Sequence, residues 1–569
     1  MVENCASFPD SFQGLVRSCS SFYKNNQKEI STEHVRQARS KLSGFARVFH
    51  EECGTLTPSV KKSLEDLKDG NCIALMTAHQ PNFFPYSGVL RKATLNFLLG
   101  KKLEESLGIP VVNFFGIADQ DFTDDKWVRS CQLPAVQRSE GIKSLEAKLP
   151  EKIMLNKTAK PTCDSLSEWK AEIEKWIDDA TRSVNRLLGT TGLAKQFKNV
   201  SSRELHQNLE SFWDMVEECY NRCGNFADFN AFLLSKIVNE VWEYNTLFSR
   251  FSENQQAFCQ DFNFLLSHFG EYSNLLRQAD EIRKKSNEAG VSNQESELVP
   301  FWYHCDCGGK TKLHAKIEDS FLAGEGICSN CGHQYFLKFG ASNNPDMSPV
   351  ASRVSLRAIS MNLVFFRGLA PICYIGGAAG AGYLREAQHV AKGLSILFPP
   401  IVVWRPHDRY LGVGQIEALL ELRRICDKLG VRSLSEASEL LQSRILETRT
   451  VLDSYELKRR QIEEKLKESH NDQKLKEALK LNSICRTRTE RSSGLSVTTH
   501  ELRTLQNTAN AVSLMPCVLD YAINMGLRET SNQWLKHLTE NGSLISDVHM
   551  NSIVSQGTQL ETLQCLTHS

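Results

Sequence analysis

The chain alternates short, almost wholly apolar runs with longer stretches of helical spacing. Cys72 to Thr77 (CIALMT) is bounded by Gly70-Asn71 and a proline-containing loop, the pattern of a buried strand. Residues 87 to 107 place Leu90, Leu95, Leu98, Leu99, Leu103 and Leu107 on a helix, with Gly108 as its stop. Pro110 to Ala118 (PVVNFFGIA) then reads as a second strand. Strand, loop, helix and strand within about 50 residues form a βαβ unit, which implies a parallel sheet.

The same pattern resumes far downstream. Ala370 to Ile375 reads as strand, Gly376 to Gly382 as a glycine-rich turn, the next segment as helix to about Leu394, and Pro400 to Trp404 as strand. Between these halves, residues 130 to 300 are polar and mostly helical. Trp169, Trp176, Phe212, Trp213 and Trp242 recur there at helical intervals and are expected in the core. The first 70 residues are helical too, with Thr57-Pro58 as N-cap and first helical position. From Ile416 onward the chain is helical again. Leu441, Thr448, Tyr455 and Ile462 repeat every seven residues, with Ile445, Leu452, Arg459 and Leu466 as companion row, which favours a coiled-coil hairpin over a helix packed on its own domain. Thr487 to Thr499 reads as a mobile loop and the last 20 residues as a loose tail.

Composition narrows the class. With 41% hydrophobic and 24% charged among 569 residues, the chain is an ordinary globular protein. Lys plus Arg and Asp plus Glu are both 67, so no global basic field attracts nucleic acid, and this argues against Arg486 to Arg491 as an RNA contact. The longest nearly uncharged run, Pro371 to Leu384, is shorter than the roughly 20 apolar residues of a membrane span. Glu3 and Asp10 interrupt any secretory signal, so a cytoplasmic location is expected, and the 18 cysteines read as thiols and metal ligands.

The sharpest chemical motif is Cys305-Asp306-Cys307 followed by Cys328-Ser329-Asn330-Cys331. Two close pairs can deliver four thiolates to one zinc, with Gly308 and Gly332 permitting tight knuckles and His304, His314 or His333 as substitutes. A closed site of this kind is structural, a brace for the insertion. The second motif, Thr77-Ala78-His79-Gln80-Pro81-Asn82, sits at a strand end before a helix. Open parallel sheets bind ligands there, and His79 and Gln80 are placed to hold an anion. The third, Asp119-Gln120-Asp121-Phe122-Thr123-Asp124-Asp125, follows the second strand; Asp119 and Asp121 are candidates to orient an amine or act as general base. The fourth, Tyr374-Ile375-Gly376-Gly377 through Tyr383, has glycines that let a ligand approach the backbone.

TAHQPNFFPYSGVLRKA with LGIPVVNFFGIADQDFTDD resembles the first motif region of the bacillithiol biosynthesis cysteine-adding enzymes. LAPICYIGGAAGAGYLREAQ with FPPIVVWRP resembles their second signature. The HQPNFFPYSG string is also similar to the WbqC-like family, linked to sugar modification. The chain departs from the first family at His79, Gln120 and Gly380, and carries the cysteine pairs in addition.

The resemblance implies a Rossmann-like core with inserted connecting segments and a coiled coil that mediates dimerisation. Taken with the residue pattern, the expected fold is α/β: a Rossmann-like parallel sheet interrupted by a helical and zinc-ribbon insertion, then an α-helical coiled-coil region, with a homodimer as the expected assembly. The divisions are N-terminal helices 1–70, core halves 71–130 and 341–415, helical insertion 131–300, zinc ribbon 301–340, and coiled coil with tail 416–569. The implied activity joins L-cysteine to the amine of an amino-sugar malate, glucosaminyl-malate. Amide formation needs an activated acyl group, and a Rossmann-like cleft could hold ATP or another nucleotide for that step; the resemblance itself does not name the activator. The implied site has His79, Asp119 and Asp121 as catalytic residues and Thr77, Gln80, Asn82, Tyr374, Gly376, Gly377 and Tyr383 around the substrate. Independently of the resemblance, the cysteine spacing gives Cys305, Cys307, Cys328 and Cys331 as the zinc ligands. The alternative is a catalytically degenerate scaffold that uses its ribbon and coiled coil to bind partners.

Overall fold

The structure is a computed structural model and describes residues 9–120, 126–148, 159–190, 200–285, 296–318, 321–377, 381–405, 407–469, 472–550 and 552. In chain order, β1 is Ile73–His79 and β2 Val111–Ile117, followed by the antiparallel hairpin β3 (Ser130–Pro134) and β4 (Ile142–Glu146), and then β5 (Leu247–Arg250). Six strands follow: β6 (Leu298–His304), β7 (Lys310–Glu318), β8 (Phe321–Ile327), β9 (Gln334–Ala341), β10 (Asn344–Pro345) and β11 (Val354–Leu356). Last come β12 (Cys373–Ile375), β13 (Ile401–Val402), β14 (Asp408–Tyr410) and β15 (Val548–Met550).

The two halves expected from the sequence join in one sheet of order β13-β12-β1-β2-β5, with every pairing parallel. Leu75 lies between Cys373 and Asn113, so strands about 300 residues apart in sequence are neighbours. β1 and β2 are mostly apolar and almost wholly buried, as expected of strands covered on both faces of a parallel sheet. The chain runs outward from β1 on both sides, so a crevice opens between β1 and β12 at the carboxyl ends.

The helix Ser87–Leu107 ends at Gly108, whose φ of 66° suits glycine. Thr57 caps Pro58–Asp69 by accepting from the Val60 N–H at 3.3 Å. The five aromatics expected in the core, Trp169, Trp176, Phe212, Trp213 and Trp242, are buried.

Three features differ from the sequence reading. The segment 131–300 is not purely helical, since it supplies the β3–β4 hairpin and the edge strand β5; four residues, LFSR, are too few to show a strand period. Thr487 to Thr499 is not a loop. Helix Gln473–Ser492 runs through it, Gly494 turns the chain at φ 66°, and helix Leu495–Ser513 begins at once. Arg488, Glu490 and Arg491 are good helix formers, and Arg486 pairs with Glu490 one turn on. The end of the helical region is tied back by β15 on β14, and the Ser552 hydroxyl donates to the Leu411 carbonyl oxygen. The remainder of the expected tail lies outside the described residues.

Helix Leu434–Glu468 folds against Gln473–Ser492 as an antiparallel hairpin, with Asn482 Nδ2 donating to the Tyr455 carbonyl at 2.9 Å. Leu441, Ile445 and Leu452 of the heptad rows are buried. Among the described residues, no helix is long and apolar enough to cross a membrane.

Candidate functional site

The crevice holds a cleft of about 810 Å³. Its floor is the set of loops leaving the parallel strands: Ala78, His79 and Gln80 after β1, Ala118 and Gln120 after β2, Tyr374, Gly376 and Gly377 at β12, and Val403, Trp404 and Arg405 after β13. The motif loop is anchored by its two phenylalanines. Phe83 packs on Trp169 with ring centroids 4.6 Å apart, and Phe84 on Phe212 at 6.1 Å, which pins the loop to the helical segment.

The opposite wall comes from elements that sequence reasoning did not connect to the site. Arg91 and Lys92 project from the helix that follows the motif loop. The sheet carrying the four cysteines contributes Trp302, Lys310, Leu356 and Arg357. The described lining therefore holds Arg91, Lys92, Lys310, Arg357 and Arg405, and among those described residues no Asp or Glu. Such a lining selects anionic ligands.

Two of these cations are positioned with particular care. Lys92, 8% exposed, donates from Nζ to the Ala78 carbonyl at 3.0 Å; burial brings its pKa down to about 7. A Cβ at Gly377 would stand 3.4 Å from that Nζ, so any longer side chain there would compete with the ligand for the space beside it. Arg91 lies 3.5 Å from Asp408, with the Arg91 guanidinium 5.5 Å from the Trp404 ring centroid. Tyr521 and Trp534 also donate to Asp408, so this buried carboxylate holds the Arg91 head in place.

The expected site residues divide into three groups. His79, Gln80, Tyr374, Gly376, Gly377 and Tyr383 all line the cleft. His79 cannot serve as a general base near pH 7: burial, then the Lys92 cation, push its pKa down to about 3. Its Nδ1 lies 3.0 Å from the Gln80 carbonyl, which only accepts, so Nδ1 carries the proton and Nε2 accepts from the Tyr86 hydroxyl at 3.2 Å.

Asn82 and Thr77 stand behind the lining. Asn82 hydrogen-bonds the His79 imidazole, and Thr77 Oγ1 donates to the Ile375 carbonyl at 2.8 Å, locking β1 to β12. Asp119 is fully buried and does not line the cleft. Its carboxylate accepts from the Ser252 backbone N–H at 2.9 Å and from the Ser252 hydroxyl, so it fixes the turn after β5 and is not a base facing substrate. Asp121 lies outside the described residues, as do Phe122, Asp124, Asp125 and Gly380.

The cysteine pairs converge. The four Sγ atoms of Cys305, Cys307, Cys328 and Cys331 all lie within 4.8 Å of one another, with Cys305 to Cys331 at 3.4 Å and Cys307 to Cys328 at 3.6 Å. Four thiolates around zinc at about 2.3 Å stand about 3.8 Å apart, so the cluster fits a metal such as zinc. Each pair sits in a tight knuckle: Gly308 N–H donates to Cys305 O and Gly332 N–H to Cys328 O, both at 2.9 Å, with φ of 84° and 74° at the two glycines. A Cβ at Gly309 would come within 2.7 Å of Cys328 Sγ. The histidines are not in the set: His304 Nε2 pairs with the Ser355 hydroxyl, and His333 packs on Tyr335.

The cysteines head a six-stranded antiparallel sheet, β10-β9-β8-β7-β6-β11, larger than a brace, and its inner end forms one wall of the cleft. The sequence carried one signal for the missed cations, since Arg91 and Lys92 fall within the first motif string. Nothing local marks Lys310, Arg357 or Trp302.

No family model and no curated protein matches the chain. Among solved structures that match, a chain described as an arginyl-tRNA synthetase from Campylobacter jejuni is 10% identical. It covers 82% of this chain and 92% of its own, at a TM-score of 0.19, a likeness too low to carry an argument.

Proposed function

We propose that the protein is a carbon–nitrogen ligase that joins L-cysteine to the amine of a small polyanionic acceptor, an amino-sugar malate such as glucosaminyl-malate. The observation that carries this reading is the cleft itself. Both motif loops that resemble the cysteine-adding enzymes border it, and five cations line it without a described carboxylate. An acceptor bearing two carboxylates suits that charge, and Gly376 and Gly377 admit it against the backbone.

Amide formation expels one carboxylate oxygen of cysteine, so the acyl group needs activation by phosphoryl or nucleotidyl transfer from a nucleoside triphosphate. The amine then attacks the acyl carbon, its proton passes to neutral Lys92, and the phosphate or nucleotide departs with the oxygen. Lys92 replaces Asp119 as the base in this scheme, because it lines the cleft and its pKa of about 7 matches the task. The four cysteines hold zinc, which supplies folding energy to their sheet. The exposed Leu446, Leu457, Leu481 and Ile484 of the helical hairpin offer a face for a second copy of the chain.

The test is mass spectrometry of the products formed from cysteine, ATP and glucosaminyl-malate. The expected product is the acceptor plus cysteine less one water. Intact acceptor after prolonged incubation with zinc-loaded protein refutes the reading.

A further inference from the structure

We infer that Trp404 and Gln120 read the two reactants at opposite ends of the cleft: Trp404 Nε1–H donates to a carboxylate of the acceptor, and Gln120 Oε1 accepts from the ammonium of cysteine. This rests on the ligase reading only in naming those two reactants. Trp404 is 7% and Gln120 3% exposed, and both line the cleft. Both polar atoms are buried, and among the described residues neither has a hydrogen-bond partner. An indole N–H only donates and a carboxamide oxygen only accepts, and burying either one unsatisfied is destabilising. Buried polar groups are nearly always paired, so two that border one cleft point to its ligands as their partners.

Strand order separates the two residues. Trp404 follows β13 and Gln120 follows β2, with β12 and β1 between them. Three strand spacings set β13 and β2 about 14 Å apart, too far for one small group to meet both residues. At the β13 end the Arg91 guanidinium stands 5.5 Å from the Trp404 ring centroid, so a carboxylate there meets a cation beside a neutral donor. The same ring stacks on His537, with centroids 6.3 Å apart and planes at 22°. Lys92 and Gly377 lie between the ends, beside β1 and β12. An acceptor anchored at Trp404 with its amine at Lys92 fills the β12–β13 half and leaves the β2 half to cysteine. There the Gln120 carboxamide holds an ammonium without taking its proton, and no described lining residue is a carboxylate.

The test is calorimetric titration of malate and, separately, L-cysteine into wild-type protein and into variants whose unfolding midpoints show them folded. Trp404→Phe is expected to weaken malate about tenfold or more and to leave cysteine within about twofold, and Gln120→Met to do the reverse. Gln120→Glu keeps an acceptor oxygen and is expected to retain the cysteine binding that Gln120→Met loses. Should Trp404→Phe fail to fold, the benzothiophene analogue of tryptophan at position 404, with sulfur in place of the N–H, carries the same expectation. The inference is overturned by wild-type protein that binds neither ligand. It is also overturned if either folded variant binds both ligands as wild type does, the result expected where an internal water partners these atoms. A variant that weakens both ligands alike, or Gln120→Glu as damaging as Gln120→Met, overturns it too. Both selective losses in a protein that forms no cysteine adduct would sink the ligase reading and leave the two subsites standing.

Discussion

Lys92 donates from Nζ to the carbonyl oxygen of Ala78, 3.0 Å away, at the carboxyl end of β1. That bond holds the amine at the crevice between β1 and β12, where burial brings its pKa to about 7. On the ligase reading proposed above the neutral amine is the base, so kcat/KM is expected to rise with pH through about 7 and then level. Lys92→Met is expected to lower kcat by about 100- to 10,000-fold and to abolish that rising limb. A limb near 7 that persists in the variant assigns it to another group.

Asp119 should behave as a structural residue. Asp119→Asn keeps one acceptor for Ser252 and turns an amide N–H₂ toward its other donor, which costs about 1–3 kcal/mol of stability. A lowered unfolding midpoint is expected, with the pH–rate profile keeping its rise near 7. Loss of that rise with unchanged stability would restore Asp119 as the base.

The metal site predicts one zinc per chain by atomic emission. Gly309→Ala would drive a Cβ to within 2.7 Å of Cys328 Sγ, so weaker zinc retention against a chelator is expected. Second-position changes near metal sites typically cost about 10- to 100-fold in affinity. Wild-type zinc retention in Gly309→Ala would show that the knuckle is looser than described.

How much of this was readable in the sequence depends on range. The mostly apolar, non-alternating runs at 73–79 and 111–117 announced buried parallel strands, because a strand covered on both faces needs no alternation. The cysteine spacing announced its cluster, and the strand-end positions of His79 and Gly376 announced the cleft. What stayed hidden depends on packing between distant segments. Lys310 and Arg357 reach the cleft only because the β6–β11 sheet docks there, and β5 pairs with β2 through four residues that carry no period. Position at a strand end does not reveal which way a side chain turns, and Asp119 turns toward Ser252. The basic run near Arg486 looked like a loop although its charges pair along a helix.

His50 supplies a pH test of the fold. Its Nε2 accepts from the Phe248 N–H at 3.0 Å, so Nδ1 donates to the Thr55 hydroxyl, and burial lowers its pKa to about 3. The unfolded imidazole titrates near 6.5 and therefore binds the extra proton between about 6.5 and 3. The stability from a neutral His50 is complete above 6.5 and lost progressively as pH falls toward 3. Moving from pH 7 to 5 is expected to cost about 2 kcal/mol through this residue. Denaturant midpoints at the two pH values check this, and His50→Gln should shrink the difference. Equal midpoints for wild type would place His50 in contact with water.

The two motif loops and the cysteine sheet bound one cation-lined cleft, and a crystal structure with glucosaminyl-malate is the decisive test of the ligand proposed for it. The acceptor is expected between Gly377, Arg91 and Lys92, with its amine beside Lys92 Nζ. Density for the acceptor on any other face, with this cleft filled only by water, would contradict it.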